Sequence, residues 1–287
     1  MCKVPPQIKA QCTETISLIA ANDFPNNWLT LLPEIVQKFN SPDPAIVNGV
    51  LQTANSILKR FRYEQRTDAL YADIIYTLNI LQAPLLSLFK TTGQAIQSFP
   101  DNVSQLRPRF ETLQLICRIF YSLNIQDLPE YFEDHMAEWM KEFSKYLTYE
   151  NIQLIDANEE TEPSVIDSLQ DAIVKNLHLY ADKDEETFMP FLPDFTSLIW
   201  KLLMSLSSFE KQDILATTCI KFLSLLIGKL MHKNIFQGEE TLNQIVSKIV
   251  IPNLMIREVD KERFEDDAQE FILGDMEGGK LGIIITY

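Results

Sequence analysis

Helical periodicity runs through nearly all of this 287-residue chain, and it is the feature that most narrows the folds open to it. Between 44 and 63 the apolar residues are Val47, Val50, Leu51, Ala54, Ile57, Leu58 and Phe61. Steps of three and four are what one face of a helix requires. From 67 to 90 the stripe continues as Leu70, Tyr71, Ile74, Ile75, Leu78, Leu81, Leu85 and Phe89. Thr67 and Asp68 suit the start of that helix, and Pro84 is expected to kink it. The alternation of a strand is absent until the terminal LGIIITY. Only 8 glycines occur, too few for the tight turns of a sandwich, a barrel or a doubly wound sheet. The chain therefore reads as all-α, with helices at roughly 6–21, 25–40, 44–63, 67–97, 103–123, 128–147, 162–182, 184–205, 209–230, 237–252 and 260–273.

Apart from NIQLIDANEETEP at 151–163, the breaks are short, so consecutive helices are expected to lie antiparallel. A weak repeat is visible in NDFPNNWLTLLPEIVQKF (22–39), QDLPEYFEDHMAEWMKEF (126–143) and ETFMPFLPDFTSLIWKLL (186–203). Each carries a proline ahead of a tryptophan and an apolar run. Pro25, Pro129 and Pro190 suit a first helical turn, where a missing N–H is harmless. Trp28, Trp139 and Trp200 are large enough to fill the space between stacked helix pairs. Degenerate helix pairs in series predict an α-solenoid of the HEAT or armadillo type, a superhelix of antiparallel pairs; a helical bundle is the competing architecture.

The formal net charge of −15 disfavours nucleic acid and anionic membranes and favours basic partners. Cys2, Cys12, Cys117 and Cys219 are scattered without a CxxC pair, which suggests neither a disulfide framework nor a zinc site. The N-terminus lacks an apolar leader, and no window approaches a membrane span of about 18 apolar residues, so the chain reads as soluble and intracellular. His135, His178 and His232 each stand alone in their segments. Glu138 three residues after His135 is a weak metal pair, and the acids Glu130, Glu133 and Asp134 read better as the charged start of a helix. No phosphate loop, nucleophile elbow or Cys–His arrangement occurs, so neither catalysis nor a cofactor is expected. Two charge clusters remain. LKRFRYEQR (58–66) is the densest basic patch, with Arg60 and Arg62 as candidates for an acidic partner segment or as caps of the preceding helix. REVDKERFEDDAQEFILGDME (257–277) sets nine acids against three bases, with Glu265, Asp266 and Asp267 as candidates for basic partners. Its Phe264, Phe271 and Ile272 suggest that it docks on some surface rather than floating free.

NDFPNNWLTLLPE, NGVLQTANSILKRFR, APLLSLFK, FYSLNIQDLPEYFEDHMAEWM and KIVIPNLMIREVDKERFEDDAQEF together resemble the exportins that return importin-α to the cytoplasm, within the importin-β superfamily. The resemblance covers about residues 8 to 278, and SLNIQDLPEYFED and IPNLMIREVDKERFEDD are its most specific parts. It implies a HEAT-repeat superhelix without catalytic residues. It implies passage through nuclear pores, contact with nucleoporins, a distribution over nucleus and cytoplasm, and joint binding of importin-α and the GTP form of the Ran GTPase. Family members carry further repeats before and after the matched region, and GKLGIIITY departs from their pattern. Residues 1–278 are accordingly expected to form a partial array, with 279–287 as a divergent, disordered tail. From the residues alone, a HEAT scaffold subunit with no dependence on Ran stays open.

Overall fold

The computed structural model describes residues 6–154, 162–207, 209–229 and 238–276, and among these there is no strand. The main helices are α1 (Pro6–Asp23), α2 (Leu31–Gln37), α3 (Pro44–Leu58), α4 (Asp68–Ser98), α5 (Val103–Asn124), α6 (Glu130–Asp134), α7 (Met136–Leu147) and α8 (Val165–Lys183). They continue as α9 (Glu185–Phe188), α10 (Leu192–Ser205), α11 (Asp213–Gly228), α12 (Glu239–Gln244), α13 (Ile251–Leu254), α14 (Glu258–Asp266) and α15 (Ala268–Met276). Local chemistry sets many of the starts. Asp43 caps α3 by accepting from the Ala45 N–H at 2.9 Å, with Pro44 at the first position. Thr67 accepts from Leu70 N–H ahead of α4, Asn102 from Gln105 N–H ahead of α5, and Ser164 and Asp167 form a reciprocal capping box on α8. Each satisfies a backbone donor that the first turn leaves orphaned.

The helices form two layers. In one, α1 packs on α3, α3 on α5, α5 on α8 and α8 on α11; in the other, α2 packs on α4, α4 on α7 and α7 on α10. Partners across the layers are α2 with α3, α4 with α5, α7 with α8 and α10 with α11. Successive antiparallel pairs, each touching its neighbours, are the solenoid read from the sequence. The quoted repeats lead into α2, α7 and α10, all in one layer; α4, which belongs to it too, lacks the motif.

Several boundaries differ from the sequence reading. The stretch 25–40 is helical only from Leu31, and Pro25 sits in the preceding turn behind a cis peptide bond; Pro190 likewise lies between α9 and α10. The prolines within first turns are instead Pro33 and Pro193. The helix read at 128–147 divides at His135, whose ring Nδ1 lies 2.8 Å from the Tyr131 carbonyl while its backbone leaves helical geometry. The one read at 260–273 divides at Asp267, whose carboxylate caps α15 by accepting from Glu270 N–H at 2.9 Å. Between α12 and α13 the turns widen to a π-helix over Ile245–Val250, just before Pro252, which has no N–H to donate. α4 runs through Pro84 as one helix. It is also long and apolar enough to meet the length and composition of a membrane span, contrary to the sequence reading. Leu81, Leu85 and Phe89 are fully buried against the neighbouring helices, which accounts for that composition inside a folded core.

Trp139 is fully buried, whereas Trp28 and Trp200 are half-buried against the core edge. Around Trp139 lies an aromatic block: its ring centroid is 4.5 Å from Phe120, 5.6 Å from Phe89 and 5.7 Å from Phe143. Beyond residue 238 no described side chain is buried.

Candidate partner-binding surface

The basic patch at 58–66 turns mostly inward. After α3 the chain tightens into a 3₁₀ turn over Lys59–Arg62. Arg60 bonds the Asp73 carboxylate on α4 at 2.5 Å and lies over the Phe24 and Phe61 rings at 5.7 and 5.4 Å. Its side chain is only 19% exposed. Arg62 donates to Ser122 Oγ at 2.9 Å and to the Arg118 carbonyl at 2.7 Å, and stacks on Tyr121 at 5.3 Å. Arg66 bonds the Gln126 side chain at 3.0 Å and faces Asp127 at 3.4 Å. These arginines fasten the end of α3 to α4, α5 and the turn that follows α5. Planar guanidinium forks suit that work.

The acidic run, over its described residues 257–276, is attached to the helices before it by charge pairs. Arg257 makes a two-pronged ion pair with Asp213, at 2.6 and 2.9 Å, which raises the arginine's pKa further. Arg263 pairs with Glu210 at 2.7 Å. Phe264 packs edge-on against Phe271 at 5.7 Å and remains 47% exposed. Charge pairs hold the segment to the helices before it, and Phe264 and Ile272 stay open to solvent. Glu265 and Asp266, at the end of α14, are exposed to solvent, as is Asp267.

Arg62, just after α3, also lines a groove of about 390 Å³ that crosses α5, α8 and α11. Arg118 of α5, Lys175 and His178 of α8, and Lys221 of α11 share it. Lys175 is paired with Asp171 at 2.7 Å, and Asp171 also accepts from the Thr218 hydroxyl at 2.7 Å. The Arg118 guanidinium and the Lys221 ammonium, both exposed, make no hydrogen bond or ion pair with a described residue. Burial lowers the pKa of Arg62, and the neighbouring Arg118 charge lowers it further. Burial lowers the His178 pKa too, with Lys221 and Lys229 adding to the effect and Asp182 opposing it. The Cys117 thiol at the groove floor is held protonated by burial. Sequence reasoning named Arg62 but missed Arg118, Lys175 and Lys221, which come together only when three helices stack.

His135 stacks on Tyr131 at 4.0 Å, with its Nε2 4.0 Å from Glu138, so that pair belongs to a helix break. No cluster of three or more potential metal ligands occurs among the described residues. His232 and the tail at 279–287 lie outside the described residues.

A sequence profile of the Cse1 family matches residues 57–282. The chain belongs to the Cse1 family. The match takes in α5, α8 and α11, hence every helix that lines the groove. Among curated relatives, exportin-2 of Homo sapiens and of Oreochromis niloticus are each 40% identical over 281 residues, covering 98% of this chain and 29% of the relative. Exportin-2 of Xenopus laevis is 39% identical over the same extent. This Cse1-family chain thus spans somewhat under a third of the curated relatives it matches. A solved structure described as the exportin Cse1 in its cargo-free, cytoplasmic state superposes with a TM-score of 0.90 at 36% identity, covering 94% of this chain and 29% of that one. The HEAT-type solenoid expected from the helix pairs is thereby established.

Proposed function

We propose that this chain is part of a nuclear transport receptor that binds importin-α together with the GTP form of Ran and carries importin-α from nucleus to cytoplasm. The observation behind this reading is the 40% identity to exportin-2 across 98% of the chain. Physical chemistry is compatible with it. A two-layered solenoid offers long exposed helix faces to protein partners, and a net charge of −15 speeds encounter with basic ones. Glu265, Asp266 and Asp267 supply such contacts, and Arg62 contributes on the opposite charge. Arg60 contributes through the clamp that holds this region in shape. No catalysis and no cofactor are assigned to the chain; the nucleotide belongs to Ran.

The test is a pull-down of the purified chain with Ran–GTP and Ran–GDP, each with and without importin-α. Retention of the GTP form alone, strengthened by importin-α, is the expected result. A stable partner indifferent to guanine nucleotide would replace the reading with that of a scaffold subunit. Within the same assay, reversing charge at Glu265, Asp266 and Asp267 should weaken binding and its salt dependence.

A further inference from the structure

We propose that the groove across α5, α8 and α11 is a docking site for an extended acidic segment of a protein partner. Four cations, Arg62, Arg118, Lys175 and Lys221, face one carboxylate, Asp171, and that carboxylate already has Lys175 and Thr218 as partners. The surplus of positive charge stands on a chain whose net charge is −15, so it is local and cannot serve a long polyanion. Like charges meet here: Arg118 disfavours the charged form of Arg62, and Lys221 disfavours that of His178 against the larger opposing pull of Asp182. An incoming carboxylate relieves both repulsions. Arg62 is already oriented by Ser122, the Arg118 carbonyl and the Tyr121 ring, so little side-chain freedom is lost when it binds.

Spacing decides the form of the ligand. Packed helix axes lie about 8–10 Å apart, so α5 to α11 across α8 spans about 16–20 Å. An extended chain rises about 3.3 Å per residue and turns every second side chain to one face. Five or six residues therefore cross the groove, with acids at alternate positions facing Arg118, the α8 cations and Lys221. The inference rests on the receptor reading only in taking the partner to be a protein.

The experiment titrates a fluorescent peptide of about eight residues, alternating glutamate and alanine, with the full chain. Its glutamine counterpart and a single-stranded oligonucleotide of similar length are compared by anisotropy. The glutamate peptide should bind, weaken as salt rises, and lose at least about tenfold in affinity in the Arg118→Glu, Lys221→Glu double variant. Lys141→Glu, on α7 outside the groove, should leave it unchanged. Both altered groove positions are exposed, and an unchanged melting temperature verifies that the variant is folded. Equal binding of the glutamine peptide, tighter binding of the oligonucleotide, or an unaffected double variant would each overturn the proposal. Because the peptide contains neither Ran nor importin-α, failure of the Ran pull-down would remove the receptor reading and leave these results standing.

Discussion

The two layers of the solenoid are joined from pair to pair by different chemistry. Where α4 meets α7, the buried contact is aromatic, with Phe89 edge-on to Trp139, Phe143 and Tyr146 at 5.6, 5.8 and 5.9 Å. Its one directed polar bond among the described residues is the Lys90–Glu138 ion pair at the exposed edge. In the layer of α3, α5, α8 and α11, each contact contains directed polar bonds between buried or partly buried groups. Asn48 donates to the Pro108 carbonyl at 2.8 Å and accepts from the Thr112 hydroxyl. Asn176 donates to the Cys117 carbonyl at 3.0 Å, the Tyr180 hydroxyl donates to Asn124 Oδ1 at 2.9 Å, and Thr218 donates to Asp171. Apolar burial is strong but indifferent to small slides, whereas a buried hydrogen bond tolerates only a narrow range of distance and angle. The aromatic layer supplies stability and the polar seam fixes how one pair is set on the next. The groove lies on the seam side, where register decides whether Arg118, Lys175 and Lys221 line up.

The comparison breaks most easily at Trp139. Trp139→Ala empties a fully buried site and should cost about 3–5 kcal/mol of unfolding free energy. Trp139→Phe should cost far less, about 1 kcal/mol, because the indole N–H finds no acceptor among the described residues and its removal offsets part of the lost contact. Urea midpoints of the two variants measure this. Equal losses would mean that the indole nitrogen has a partner after all, and that the aromatic layer is directional too.

A smaller effect is expected at the seam, of a different kind. Asn176→Ala removes bonds to the Cys117 and Ala172 carbonyls and should cost about 1–3 kcal/mol. Combined with Asn48→Ala, it should also lower the dependence of unfolding free energy on urea, as neighbouring pairs uncouple and the array ceases to unfold as one unit. Trp139→Phe should leave that slope unchanged. A double variant that loses stability at constant slope would show the seam to be merely stabilising.

What was legible in the sequence follows from the same division. Apolar stripes announced α3 and α4 because periodicity reports the buried face of a single helix. The breaks at His135 and Asp267 were hidden, since both residues sit within patterns a continuous helix would also show. Arg60 and Arg62 stood out as a basic patch, yet sequence offers no sign that Asp73 and Ser122 await them from other helices. Phe264 and Phe271 marked the acidic run as one that docks, yet nothing in its pattern signals that Arg257 and Arg263 tie it to acids more than forty residues away. The groove was least legible of all. Arg118, Lys175 and Lys221 are separated by the length of whole helix pairs, and no spacing rule joins them.

The smallest effect separates the layers by pH. On the seam side, burial holds the His178 imidazole below its ordinary value of 6.5, with Lys221 and Lys229 reinforcing the shift against Asp182. In the aromatic layer the corresponding group is Tyr146, whose phenol is pushed upward by burial and then by Glu142, far from neutral pH. Above 6.5 His178 is neutral whether the chain is folded or not, and it has no effect on the balance. As pH falls through the window just below 6.5, the unfolded chain takes up a proton that the folded chain still refuses, so stability declines until the folded value is passed. His178→Gln should remove this part of the acid sensitivity. Thermal melts of both proteins at pH 7.5 and pH 5.5, roughly one unit either side of the imidazole midpoint, should show the variant losing less on acidification. The acidic peptide, by favouring the protonated ring, should shrink the difference in the parent chain. If parent and variant lose the same amount, the imidazole is not held neutral by the seam, and the acid response arises from carboxylates elsewhere.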